Sequence, residues 1–365
     1  MTTNSTKTPV RALTFVLPQF HPIPENDAAW GKGFTEWTNV VKAKPLFAGH
    51  YQPHLPADLG FYDLRVAETR DEQAKMAGEY GIFGFCYYHY WFAGRRLLER
   101  PVNEILATGK PNFPFCLCWA NESWSRRWDG SEDQVIMRQE YSVADDERHM
   151  EYLCTQVFND SRYIKINGKP LFLVYRSTLL PDSLRTTDTW RTVAKRHGLE
   201  LYLCRVESFS ESVDPPASGF DAAVEFQPEW YAMFPRLRAG RFWNLLCSMG
   251  LSNRTYKTNY VFDYATIVEN NLKKDQPSYK RYPCLMPMWD NSARKKAGCT
   301  IIRGSTPELY ERWLRETVRK FVPYSSEENF VFLNAWNEWA EGNHLEPCQR
   351  WGKAYLEATK RVLVP

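Results

Sequence analysis

Eight short, nearly unbroken apolar runs recur along the 365-residue chain, at 12–17, 82–87, 115–119, 171–175, 201–204, 222–226, 284–289 and 330–333. A strand with one wet face alternates apolar with polar residues. An unbroken apolar run instead marks a strand buried on both faces, as in parallel sheets. Between most of the runs lie amphipathic, helix-compatible segments, at 64–80, 145–158, 188–197 and 307–321. Strand–helix alternation repeated eight times predicts an α/β fold of (β/α)8 TIM-barrel type, one domain over 1–365, a length such barrels reach with long loops and insertions.

A barrel of this kind carries its chemistry on the loops that follow the C-terminal ends of the strands. After the first run come Gln19 and His21, and after the second Tyr88 and His89. The third ends in Trp119 and leads into Asn121, Glu122 and Trp124; Arg205 and Glu207 follow the fifth. Gln227, Glu229 and Trp230 follow the sixth, and the seventh ends in Trp289 before Asp290 and Asn291. The eighth opens into Asn334, Trp336, Asn337, Glu338, Trp339, Glu341, His344 and Glu346. Such side chains suit a hydroxylated ligand, because Trp faces stack on the C–H side of a pyranose while carboxylates, amides and imidazoles satisfy its hydroxyls. An aromatic content of 15%, with 14 Trp, agrees with that expectation, although packing in a large core would also account for it.

Glu338 and Glu341 are spaced i, i+3, which on an ordinary surface helix is a solvated charged face. Here the two acids bracket Trp339 and follow Trp336, just past an apolar strand. Two carboxylates in one cleft are the minimum for cleaving a glycosidic bond, one as acid and the other as base or nucleophile. The first connection, 21–62, is long enough to be functional and contains Trp30-Gly-Lys-Gly-Phe-Thr-Glu-Trp37 and Gly49-His-Tyr-Gln-Pro-His-Leu-Pro56. It is expected to wall or cover the pocket, with Glu36, Trp37, His50 and His54 as ligand contacts. Gly31-Lys-Gly33 lacks the spacing of a phosphate-binding loop.

With 46 basic and 43 acidic residues the net charge is +3, so no global field points to nucleic acid. Residues 1–10 lack the apolar core of a leader and no window approaches 18 apolar residues, so a soluble, cytoplasmic protein is expected. Nine cysteines are present, of which Cys86, Cys116, Cys118, Cys204 and Cys284 fall in apolar runs and read as small buried hydrophobes. Cys116-Leu-Cys118 lacks zinc-ligand spacing, and no metal or cofactor is expected. Basic charge concentrates in an insertion at 236–282, between the sixth and seventh strands, with nine basic and three acidic residues. A solvated face is the default reading of such a cluster. An anionic partner is the sharper one: an acidic polysaccharide, a lipid pyrophosphate or the face of a membrane.

Six stretches in order, Leu17-Pro-Gln-Phe-His-Pro22, the segment Trp30 to Trp37, Ala57-Asp-Leu-Gly-Phe-Tyr-Asp63, Tyr87-Tyr-His-Tyr-Trp91, Trp119-Ala-Asn-Glu-Ser-Trp124 and Trp336-Asn-Glu-Trp-Ala-Glu-Gly342, together resemble the WbsX-type proteins of bacterial polysaccharide loci. These are often labelled glycosyltransferases, and their domain is similar to glycoside hydrolase family 99. The resemblance covers almost the whole chain. It implies a (β/α)8 barrel, retention of anomeric configuration without a metal, and Glu338 and Glu341 as the catalytic pair. In that scheme Glu338 takes the proton of the substrate's own 2-hydroxyl as it attacks C1, giving a 1,2-anhydro sugar. Glu341 protonates the leaving oxygen, then activates water or an acceptor alcohol to open the epoxide. Mannose, rhamnose and a capsule-specific sugar all stay open. Three activities follow: a retaining glycosidase or transglycosylase on α-linked polysaccharide, a glycosyltransferase of O-antigen (lipopolysaccharide) or capsule assembly, and a sugar-binding pseudoenzyme. Asp27 and Asp145-Asp146 make no convincing metal site for a nucleotide sugar, and retention of both acids argues against the pseudoenzyme.

Overall fold

The computed structural model describes residues 10–126, 131–207 and 213–364; the expectation about a leader concerns residues 1–9, which lie outside them. The barrel strands are Arg11–Val16, Ile82–Phe92, Phe115–Trp119, Lys169–Val174, Tyr202–Glu207, Ala222–Glu225, a seventh in two pieces (Arg281–Tyr282 and Cys284–Leu285), and Phe330–Leu333. All neighbours pair in parallel, with Leu13 opposite Phe332, Phe15 opposite Cys86, and Leu173 opposite Cys204. The seventh strand splits at Pro283, which has no N–H to give a ladder. Tyr282 pairs with Val224 of the sixth strand and Cys284 with Phe332 of the eighth. That segment closes the ring, producing the barrel that the eight apolar runs predict.

The helices are α1 (Pro24–Trp30), α2 (Glu36–Val40), α3 (Ala67–Glu79), α4 (Arg100–Thr108), α5 (Val143–Gln156), α6 (Ser183–Arg196), α7 (Arg241–Ser248), α8 (Thr255–Thr258), α9 (Tyr264–Leu272), α10 (Pro307–Lys320) and α11 (Ala354–Leu363). Three of the expected helices start at side-chain caps: Ser142, Asp182 and Thr306 each accept a backbone N–H three residues on. Asp182 starts α6 five residues before the 188–197 expectation, because its first turn is polar. The alternation fails at one place. Among the described residues the fifth connection holds only a 3-10 turn, Pro215–Ser218, where Pro215 and Pro216 remove two helix donors.

Inside the barrel Phe15 packs on Tyr88, Phe226 and Phe332 at 5.6–5.7 Å, and Tyr175 packs on Phe226 at 5.2 Å. This aromatic layer fills the ring just below the strand tops. All nine cysteines are buried and unpaired. No helix among the described residues is long and apolar enough to cross a membrane.

The basic stretch 236–282 contains α7, α8, α9 and the strand Tyr260–Asp263, which pairs with Thr300–Arg303 from the loop after the seventh strand. Several of its cations have partners within the protein. Lys274 bridges Glu225 and Glu229, Lys280 meets Glu328 at 2.6 Å, and Arg281 lies 3.5 Å from Glu207.

Candidate active site

A cavity of about 370 Å³ opens at the C-terminal ends of the strands. Its floor is the top of the aromatic layer, Tyr88, Tyr175 and Phe226, and its walls include Trp30, Trp124, Trp230 and Trp289. Polar side chains enter from Gln19, Asn26, Glu122, Glu207, Glu229, Arg294, Asn334, Glu338 and Glu341. Gln19 Nε2, Asn26 Nδ2, Trp289 Nε1 and Asn334 Oδ1 are buried without a hydrogen-bond partner among the described residues. Buried polar atoms are ordinarily paired, so these four are available to a ligand's hydroxyls.

The chain after the eighth strand is held at several points. Asn337 Oδ1 accepts from Leu17 N at 2.7 Å and its Nδ2 donates to Leu17 O at 3.0 Å, which ties this loop to the first strand's exit. Asn337–Glu338 forms a short antiparallel ribbon with Asn343–His344. Between them, Trp339–Glu341 is one 3-10 turn, a geometry that brings i and i+3 side chains to one side, so Glu338 and Glu341 converge. The turn ends at Gly342, with φ 55°, where a Cβ would lie 3.1 Å from the Asp290 carbonyl oxygen. Beneath it, Glu346 accepts from Trp339 Nε1 (2.6 Å), Tyr62 OH (2.9 Å) and Gln73 Nε2 (2.7 Å). Burial pushes the Glu346 carboxyl up to about 7 against these three donors.

One guanidinium organises the acids. Arg294 Nη1 donates to Glu341 Oε1 at 2.7 Å, and its Nη2 donates to Glu36 Oε1 at 2.6 Å and Glu338 Oε2 at 3.0 Å. Glu36, wholly buried, also accepts from Ala340 N at 3.0 Å, which ties α2 to the turn that carries Glu338 and Glu341. Burial pushes the Glu338 carboxyl up to about 8; Arg294 pulls it down, while Glu341 and Glu36 push it further up. Glu341 is raised as well, by burial first, with Arg294 opposing and Glu36 reinforcing. Burial works against the Arg294 charge, but the three carboxylates outweigh it and hold the guanidinium firmly protonated. Three carboxylates facing one cation favour retention of a proton, and that proton belongs to the cluster rather than to one residue.

Of the side chains expected at the site, Gln19, Tyr88, Glu122, Trp124, Glu207, Glu229, Trp230, Trp289, Asn291, Asn334, Glu338 and Glu341 line the cavity. The others lie around it. His89 and Trp119 point outward from their strands, because neighbouring strand residues face opposite ways. His89 Nε2 meets His149 Nε2 of α5 at 3.0 Å, and Trp119 packs on His149 and on Trp190 of α6. Asn121 bonds both the N–H and the carbonyl of Arg176, and so joins two strand exits. Gln227 donates to Asn271 and accepts from Asn334 Nδ2 through its carbonyl. Trp37 packs against Trp339 at 5.4 Å, Trp336 against Phe85 at 5.3 Å, and His21 is buried outside the cavity lining. His50 meets Asp290 at 2.5 Å and His54 meets His344 at 3.0 Å, and none of these side chains lines the cavity. Asp145 and Asp146 are structural, accepting from Trp91 and Thr186. Arg294 was missed by sequence reasoning; the available signal was the first of three consecutive cations, Arg294-Lys295-Lys296, closing the polar run that starts at Asp290.

Comparison with known proteins agrees with this architecture. Two WxcX proteins of Xanthomonas campestris pv. campestris, both described as uncharacterized, are 44% and 43% identical over 357 residues, 97% of this chain and 50% of each relative. The chain therefore spans about half the length of the curated relatives it matches. A glycoside hydrolase-like protein superposes with a TM-score of 0.60 at 13% identity, covering 98% of this chain and 94% of that one. The GH99 endo-alpha-mannosidase from Bacteroides thetaiotaomicron gives 0.58 at 13% identity, with 97% and 96% covered. These likenesses establish a shared fold. The profile of the glycosyltransferase WbsX family matches residues 12–359, and the chain belongs to that family.

Proposed function

We propose that the protein is a retaining, carbohydrate-cleaving enzyme acting on an α-linked bacterial polysaccharide or oligosaccharide, with Glu338 and Glu341 as its catalytic pair. The observation that carries this reading is the convergence of a buried carboxylate, Glu338, and a half-buried one, Glu341, on one guanidinium in an aromatic-walled cavity. The choice of an α-linked substrate is our reading, supported by a neighbour with this fold that is described as an endo-alpha-mannosidase. In the first half-reaction Glu338 takes the proton of the sugar's 2-hydroxyl while that oxygen bonds to C1. The C1–leaving-group bond breaks, and Glu341 gives its proton to the departing oxygen. In the second half-reaction water attacks C1 and passes a proton to Glu341, while the opening epoxide oxygen recovers its proton from Glu338. Arg294 supplies the positive charge that lets Glu338 ionise inside a dry site, and Glu36 holds Arg294 in place. The scheme needs one proton on the pair, and the cluster's charge balance favours retention of one.

A second reading has its own support. The family's name is that of a glycosyltransferase, and replacing water by an acceptor alcohol in the second half-reaction turns hydrolysis into transfer with no other change at the site. Incubation of the protein with the polysaccharide, with and without an added glycan alcohol, separates the two. New reducing ends without acceptor mark a hydrolase, whereas product formed only with acceptor marks a transferase. A polysaccharide bound but unchanged in both arms contradicts either enzyme and leaves a sugar-binding protein.

A further inference from the structure

The segment 230–262 contains five basic residues, Arg236, Arg238, Arg241, Arg254 and Lys257, and no acidic one. Two of the five are engaged locally. Arg236 donates to the carbonyls of Tyr256 and Asn259, and Arg238 lies over the Trp243 and Tyr256 rings. Arg241, Arg254 and Lys257 are exposed. The same segment presents large apolar side chains to solvent: Tyr231, Phe234, Phe242 (65% exposed), Leu245, Met249 and Leu251 (71%). Phe242, Leu245 and Met249 follow helical spacing along α7 and its cap, while Cys247 on the other side is buried. A helix with one apolar face turned outward and basic residues beside it has the composition of an interfacial helix. Soluble surfaces rarely gather so many exposed large apolar groups without a partner.

The position of the segment matters as much as its composition. Trp230 at its start lines the cavity, and Tyr260–Asp263 at its far end pairs with the strand that carries Thr300, which also lines the cavity. The patch therefore meets the cavity wall at Trp230, and the strand that follows it adjoins the wall residue Thr300. We infer that residues 230–257 form a docking surface for an anionic lipid bilayer, resting on it at the interface and presenting the cavity to glycan near the membrane. A free polyanion such as an acidic glycan would use the arginines but give no role to Phe242, Leu245 and Leu251. A second copy of the chain would set one acid-free basic patch against another, which like charges oppose.

The test is flotation of the intact protein with vesicles, which reads binding without turnover and so stands or falls independently of the proposed chemistry. Wild type is expected to float with mixed phosphatidylethanolamine–phosphatidylglycerol vesicles, to bind phosphatidylcholine vesicles far less, and to be released by added salt. Arg241→Glu and Lys257→Glu should each weaken binding by about fivefold or more, and Phe242→Asp with Leu245→Asp should abolish it. All four positions are exposed, so folding is checked by an unchanged melting temperature. Failure of wild type to float, or flotation unchanged in both variant sets, overturns the proposal. A concentration-dependent dimer dissolved by the Phe242/Leu245 variant, without flotation, overturns it in favour of self-association.

Discussion

Arg294 is where the chemistry of single residues is decided, because it touches three carboxylates that come from chain positions far apart. Arg294→Gln removes the cation that favours their ionised forms, so the pKa values of the Glu338/Glu341 pair should rise and the pH–rate profile should move up by about one unit or more. Glu36→Gln removes a negative charge that raises both groups, and its profile should move the other way. Initial rates across pH test both signs at once, and a profile unmoved in either variant rejects the charge-setting role. Glu341→Gln is expected to lower turnover by ~10²–10⁴-fold, and a 2-deoxy analogue of the substrate should be inert. The acids were legible in the sequence as two glutamates bracketing Trp339, just after Trp336. Their cation was not, because pairing Arg294 with Glu36 joins residues 258 positions apart, and no local spacing reports that.

The turn that carries the acids is a short element with tight tolerances. Gly342 has a left-handed φ of 55° and sits against the backbone of Asp290, so Gly342→Ala adds both backbone strain and a 3.1 Å contact. A loss of about 1–2 kcal/mol in stability is expected, read by denaturant titration, together with a fall in turnover as the turn shifts. Glu346→Gln keeps the shape but turns a donor toward Trp339, Tyr62 or Gln73. A cost of about 1–3 kcal/mol should appear as a lowered melting temperature. A variant of Glu346 with wild-type stability would show that this contact set does not support the turn. Strands and most helices were legible in the sequence, since apolar runs and amphipathic segments are local signals. The sequence did not separate Tyr88 from His89 or Trp119 from Trp124, because which face of a strand or which side of a loop meets the cavity depends on the barrel as a whole.

At the scale of the molecule, the ring of eight strands follows from the apolar runs, and the loops at one end bring together residues from nearly the entire chain length. Long insertions, and a fifth connection that among the described residues holds only a 3-10 turn, change the outside without disturbing that ring, as loops tolerate change more readily than the strands they connect. The central claim, that this barrel cleaves a glycosidic bond through Glu338 and Glu341 with retention, is tested most directly by an NMR time course with the producing strain's own polysaccharide. New reducing-end anomeric signals should appear with wild type, first in the retained configuration, and should be absent with Glu341→Gln. Signals that appear first in the inverted configuration, or that form equally with Glu341→Gln, would contradict the account.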